Sequence, residues 1–149
     1  MIEGVTITPL KRIPDERGAV LHMISRDWPV FTQMGELYFS TVVPGVVKGW
    51  HLHQRMILNY AVPIGRIKFV LFDNRAESVT RGEVQETFIG EDNYALVTVP
   101  PGIWNGFKGL GDYPSLVANC ASIPHDPDEV SHRPARHPDI PYDWAVRHG

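Results

Sequence analysis

Short runs of β-forming residues recur along the chain, each bounded by glycine, proline or acidic residues. Val5–Leu10, Ala19–Ile24, Leu37–Val43, Met56–Val62, Ile67–Phe72, Val84–Ile89, Tyr94–Val99 and Ser115–Cys120 read as strands. Between them lie turn formers such as Glu16-Arg17-Gly18, Pro44-Gly45, Pro63-Ile64-Gly65, Gly90-Glu91-Asp92 and Pro100-Pro101-Gly102. Many short strands at this spacing predict an all-β sandwich or barrel. Apolar positions at helical spacing are scarce, and at most one or two helical turns are expected near Trp28–Gln33. From Ile123 onward the pattern breaks. Pro124, Pro127, Pro134, Pro138 and Pro141 alternate with histidines and charges, which excludes a long helix or a central strand. Residues 1–122 are therefore expected to form the barrel. Residues 123–149 form a Pro-rich C-terminal tail, and the apolar residues of Ile140–Trp144 pack it onto the barrel.

Composition narrows the classes of function. A chain of 149 residues with 43% hydrophobic and 21% charged residues can bury one core. The 13 glycines and 13 prolines exceed average usage and follow no strict period, which fits many turns and excludes a collagen-like chain. A net charge of -3 offers no electrostatic footprint for nucleic acid or an acidic membrane. The single cysteine, Cys120, excludes an internal disulfide and reads as a small buried residue. The N-terminal residues lack the basic-then-apolar pattern of a secretion signal, and no apolar run approaches the ~18 residues of a membrane span. A cytoplasmic protein without nucleic-acid or membrane partners is expected.

Candidate chemistry is densest at Lys48-Gly49-Trp50-His51-Leu52-His53. On a regular strand, alternation puts Lys48 and Trp50 on one face and His51 and His53 on the other. Two imidazoles two residues apart can bind a metal or supply a base. Gly45, His51, His53 and Gly65 stand where metal-binding cupins place the first of their two motifs. The glutamate ligand of that motif falls at Ile57 or Leu58, neither of which binds a metal. The second motif is matched by Pro100-Pro101-Gly102-Ile103-Trp104-Asn105, with the weak ligand Asn105 at the histidine position. No tight metal site is expected. The fold these motifs imply is a cupin-type jelly roll.

Four segments in order resemble the dTDP-4-dehydrorhamnose 3,5-epimerase family of metal-independent cupins. Asp15-Glu16-Arg17-Gly18 resembles its D-x-R-G, and Lys48-Gly49-Trp50-His51 resembles its R-G-L-H with lysine for arginine. Phe72–Gly82 resembles its D-x-R-x-x-S-P-T-x-G signature. Gly102–Phe107 resembles its G-x-A-H-G-F with Asn105 for histidine. The resemblance runs from Pro9 to Trp144 and implies a homodimer acting without a cofactor on a nucleotide-activated 4-keto sugar. Such a sugar carries acidic hydrogens beside its carbonyl. A base removes one, and reprotonation from the other face inverts the carbon. By resemblance His51 is that base, and Arg17 holds a phosphate of the nucleotide. Lys48 and Asn105 take the places of two substrate-binding residues.

Three family groups have no counterpart in the expected places. The family lysine maps to Met56–Leu58, the tyrosine acid maps to Ala118, and the carboxylate that orients the catalytic histidine falls beyond Trp144. Replacements are available on the predicted strands. Glu36, Tyr38 and Ser40 alternate along one of them, with Tyr38 a candidate acid and Glu36 a candidate substrate contact, orienting carboxylate or base. His53 and Asn59 complete the expected substrate-binding set, and Tyr60 reads as core. The acidic run His125–Glu129 reads as a solvated turn, and His132, His137 and His148 as polar tail residues. The first expectation is an epimerase or isomerase of deoxysugar or surface-polysaccharide synthesis. A non-catalytic sugar-nucleotide-binding cupin or partner subunit is the alternative. A metal-dependent cupin using His51 and His53 is the second.

Overall fold

The computed structural model describes residues 1–148. It contains twelve strands and, among the described residues, no helix. They are β1 (Thr6–Pro9), β2 (Arg12–Asp15), β3 (Gly18–Leu21), β4 (Glu36–Val42), β5 (Val47–His53) and β6 (Leu58–Ile64), then β7 (Arg66–Asp73), β8 (Val84–Gly90), β9 (Ala95–Val99), β10 (Ile103–Leu110), β11 (Ser115–Ala121) and β12 (Val130–Arg133). Two five-stranded antiparallel sheets, in the orders β1-β9-β6-β11-β4 and β12-β5-β10-β7-β8, make the jelly roll. The segment near Trp28 forms successive turns, closed by Trp28 N–H to Ser25 and Phe31 N–H to Trp28, in keeping with the expectation of at most one or two helical turns there.

The core lies between the sheets. Leu58, Tyr60 and Val62 of β6 and Val97 and Val99 of β9 face Ile67, Phe69 and Leu71 of β7 and Phe107 of β10. Strand β7 reads as a nearly continuous apolar run because its outer face is covered as well. There Trp50, Val70, Phe72 and Trp104 form a second apolar cluster with Ile140 and Trp144. The indole N–H groups of Trp50 and Trp144 both donate to the carbonyl of Ala135, at 3.0 and 3.1 Å. The Lys68 ammonium lies over the rings of Tyr142 and Trp144. The proline-rich stretch thus contributes an edge strand, β12, paired to β5, and then crosses the outer face of the same sheet. Trp144→Ala is expected to cost roughly 3 to 5 kcal/mol, the usual range for deleting a buried aromatic. A denaturant titration followed by the remaining tryptophans checks this; a midpoint unchanged from wild type excludes the docking.

One irregularity positions the site. In the β5–β10 ladder Asn105 pairs with His51 but Phe107 pairs with Lys48, so Gly49 and Trp50 oppose the single residue Gly106. This β-bulge reverses the alternation. Lys48 shares the inner face with His51 and His53, while Trp50 goes outward. The expectation that Lys48 and Trp50 share a face is corrected by that one inserted residue. Glycine at 49 also admits the returning tail: a Cβ there would stand 3.1 Å from both the Arg133 oxygen and the Ala135 nitrogen. The hairpin β2–β3 stands apart from both sheets with nearly all its residues exposed.

Candidate active site

A cavity of about 310 Å³ opens between the two sheets. Tyr38, Ser40 and Tyr60 line it from the first sheet. Lys48, His51, His53, Asn105 and His132 line it from the second. His125, from the segment before β12, also reaches it. Of the site residues expected from sequence, Tyr38, Lys48, His51, His53 and Asn105 therefore meet in one place.

The two histidines are held differently. His51 Nδ1 lies 2.9 Å from the Gly49 carbonyl, which can only accept, so Nδ1 carries the proton and Nε2 is the free base. Burial pushes the His51 imidazole below its ordinary value. The neighbouring His132 and His53 add to this, partly opposed by the Gly49 carbonyl. The rings of His51 and His132 meet edge to face, with centroids 4.6 Å apart. His53 Nδ1 instead donates to the carboxylate of Glu129, again leaving Nε2 free. Glu129 is only 3% exposed. Its second oxygen accepts from the backbone N–H groups of Gln54, Arg55 and Met56 at 3.0 to 3.2 Å. Burial opposes the ionisation of Glu129, but the His53 and backbone hydrogen bonds outweigh it and hold the carboxyl below its usual range.

Facing them, the Tyr38 hydroxyl accepts a 3.0 Å hydrogen bond from the Asn119 amide. The phenolic proton is thereby left to be given elsewhere. The Asn119 oxygen in turn accepts from the Asn59 backbone at 3.0 Å. Lys48 Nζ reaches across the sheets to Ser40 Oγ at 2.7 Å. The Asn105 amide donates to the His51 carbonyl at 3.0 Å, which fixes β5 against β10.

Three expected contacts lie elsewhere within the chain. Arg17 sits at the tip of the β2–β3 hairpin, exposed and paired with Asp15 at 2.6 Å. Glu36 begins β4 and pairs with Ala121, outside the cavity lining. Asn59 points away from the cavity, because its neighbours Leu58 and Tyr60 take the core face of β6. Its amide is used within the first sheet, donating to the Cys120 carbonyl and accepting from Thr98. Conversely, His132, which reads as a polar tail residue, lines the cavity, and Glu129, which reads as part of a solvated turn, is buried behind the wall against His53. No periodicity marks Glu129; an acid that breaks a proline-rich run just before a β-forming Val130 is the one local hint. Leu58, at the position of the family lysine, is buried in the core. Among the described residues, no three His, Cys, Asp or Glu side chains are grouped to hold a metal ion. No helix there is long and apolar enough to cross a membrane.

The model of the dTDP-4-dehydrorhamnose 3,5-epimerase family matches residues 1–148. The chain is 35% identical to a probable low-salt glycan biosynthesis epimerase, Agl13, of Haloferax volcanii, over 95% of this chain and 89% of that one. It is 31% identical to the spore coat polysaccharide biosynthesis protein SpsL of Bacillus subtilis, over 87% of this chain and 85% of the other. A crystal structure of a dTDP sugar isomerase from Desulfovibrio desulfuricans superposes with a TM-score of 0.95. It is 45% identical and covers 99% of this chain and 94% of its own. With the jelly roll and its histidine-lined cavity, these matches establish that the chain belongs to the dTDP-4-dehydrorhamnose 3,5-epimerase family of sugar-nucleotide epimerases.

Proposed function

We propose that the protein inverts a carbon beside the carbonyl of a nucleotide-activated 4-keto sugar, in deoxysugar or surface-polysaccharide synthesis. The observation that carries this is the placing of a free imidazole nitrogen, His51 Nε2, and a phenol, Tyr38, on opposite sheets of one cavity. Inversion needs a proton taken from one face of a carbon and delivered to the other. A base and an acid on facing sheets supply that geometry. Lys48, beside them, is the cation that balances the charge developing on the keto oxygen. It stands in for the family lysine whose position is the buried Leu58. Asn105 and His53 complete the wall against the sugar. Arg17 remains a candidate phosphate ligand from outside the cavity of its own chain.

The protein acts as a cytoplasmic homodimer in this reading. The exposed hairpin β2–β3 supports it, because an isolated two-stranded ribbon is marginal in water. The exposed Leu37 and Phe39 on the edge strand β4 support it too.

The reading is tested by incubating the protein with a dTDP-4-keto-6-deoxyhexose in heavy water and following the sugar by NMR. Deuterium entering beside the carbonyl, with an inverted product, is the expected result; unlabelled, unchanged sugar overturns it. Tyr38→Phe separates the two half-steps. Inversion is expected to fall by about 100-fold, the low end for loss of a general acid. Deuterium exchange with retained configuration should persist, because the base is untouched. Inversion at the wild-type rate would remove Tyr38 from the acid role.

A further inference from the structure

A buried carboxylate that orients a cavity histidine is present, but it is Glu129, and the ring it holds is His53 and not His51. Glu129 is buried, ionised by four hydrogen bonds, and spends one whole oxygen on three backbone N–H groups at the start of the loop after β5. Among the described residues, its other oxygen is hydrogen-bonded to His53 Nδ1 alone. A carboxylate that fixes the imidazole tautomer and stabilises the imidazolium is the usual support of an acid–base histidine. His53 has that support, and His51 has only a backbone carbonyl. A passive wall residue would not need a buried charge brought from 76 positions away to hold it.

The spacing adds a second point. Residues two apart on a strand are about 7 Å apart and point to one face. A hexose ring seated against β5 fits between two such imidazoles. The two carbons flanking its 4-keto group then face different rings.

Resting on the reading of the site as a 4-keto-sugar epimerase, we propose that His53, positioned by Glu129, is a second general base. His51 and His53 each serve one of the two carbons beside the carbonyl. His53 Nε2 takes the proton from its carbon, and the C–H electron pair forms the C=C bond of the enolate. The carbonyl π pair moves onto oxygen, where Lys48 balances the charge. Reprotonation from the facing sheet by Tyr38 restores the ketone with that carbon inverted. The imidazolium then gives its proton to water and Tyr38 regains one from water, so the cycle consumes nothing.

The test is site-resolved deuterium exchange at C3 and C5 of a dTDP-4-keto-6-deoxyhexose, with kcat and KM measured beside it. His53→Ala should slow exchange at one carbon by about 100-fold or more, and His51→Asn should slow it at the other. Added imidazole should restore the carbon lost in His53→Ala, which no structural role for His53 would produce. Glu129→Gln should lower kcat at the His53 carbon with KM little changed. In the double variant with His53→Ala it should add no further loss, because the carboxylate acts through that ring. If Glu129→Gln does not fold, imidazole rescue of His53→Ala still decides. Wild-type exchange with both variants blocking the same carbon, or with His53→Ala unaffected, overturns the second base and leaves the epimerase standing. No exchange by the wild-type protein overturns the epimerase itself.

Discussion

His51→Asn lowers the rate at which a dTDP-4-keto-6-deoxyhexose is inverted by roughly 100- to 10,000-fold at neutral pH, the range expected when a general base is removed. Asparagine retains an amide donor for the Gly49 carbonyl, so the strand and its bulge are kept while the basic nitrogen is lost. The wild-type pH profile carries the same assignment. Burial and the neighbouring His132 and His53 depress the affinity of His51 for a proton. The ring is therefore neutral, and able to accept a proton, throughout the neutral range. As pH falls through its lowered value the ring becomes protonated and activity disappears. The acid limb of kcat/KM attributable to His51 should accordingly lie below about 6.5, the ordinary histidine value. A stopped assay across pH, read by NMR for the inverted sugar, measures both. A variant within twofold of wild type would remove His51 from the chemistry.

Asp73→Ala is expected to be the most damaging single change to stability. Asp73 is fully buried. Its carboxylate accepts from Arg75 Nε at 2.9 Å and from Ser78 Oγ and Thr80 Oγ1, each at 2.6 Å. Arg75 also donates to the Glu3 carbonyl at 2.6 Å, which ties the N-terminal segment to the turn between β7 and β8. The stretch Phe72–Gly82, which identifies the family in sequence, is thus a clasp and contributes no side chain to the cavity lining. Removing the carboxylate leaves a partly buried guanidinium and two hydroxyls without their partner. About 3 to 5 kcal/mol is the usual cost of breaking a buried pair in this way. For a chain of this size that lowers the melting temperature by roughly 10 °C.

The pH dependence follows from the same contacts. Burial opposes ionisation of Asp73, but the bonds from Arg75, Ser78 and Thr80 outweigh it and depress the carboxyl strongly. A group depressed in the folded state contributes its stability fully above the unfolded value of about 3.9 and loses it as pH falls toward the folded one. The wild-type protein should therefore lose stability below about pH 4 more steeply than the variant, and the gap between them should narrow in acid. Thermal melts across pH read this directly. A gap that stays constant would show that the charge of Asp73 is not what matters.

Particular residues show how far local pattern reaches. The short β-forming runs and their glycine and proline stops placed eight strands. Strands β2, β5, β10 and β12 were not among them: β2 and β12 are only four residues long, and glycines interrupt the other two, Gly49 in β5 and Gly106 and Gly109 in β10. His51 and His53 were paired on one face correctly, since two residues apart always means one face while the strand is regular. Lys48 was placed on the wrong face by the same rule, because the bulge opposite Gly106 lies between it and His51. Asn59 read as a pocket residue from its polarity alone. The face taken by Leu58 and Tyr60 turns it toward Thr98 and Cys120 instead.

Glu129 is the sharpest case. Within its acidic, proline-rich run its one local cue, the β-forming Val130 that follows, does not distinguish a solvated charge from a buried one. Its burial follows from the pairing of β12 with β5. The all-β class, the paired imidazoles and the apolar end of the tail were settled by residues within a few positions of one another. Strand alternation and turn chemistry act over that range. The face that Lys48 takes, the partner of His53 and the meeting of Tyr38 with the histidines depend on strands pairing across the sheets. No spacing along the chain encodes those contacts, because they form only when distant segments share the burial of one core.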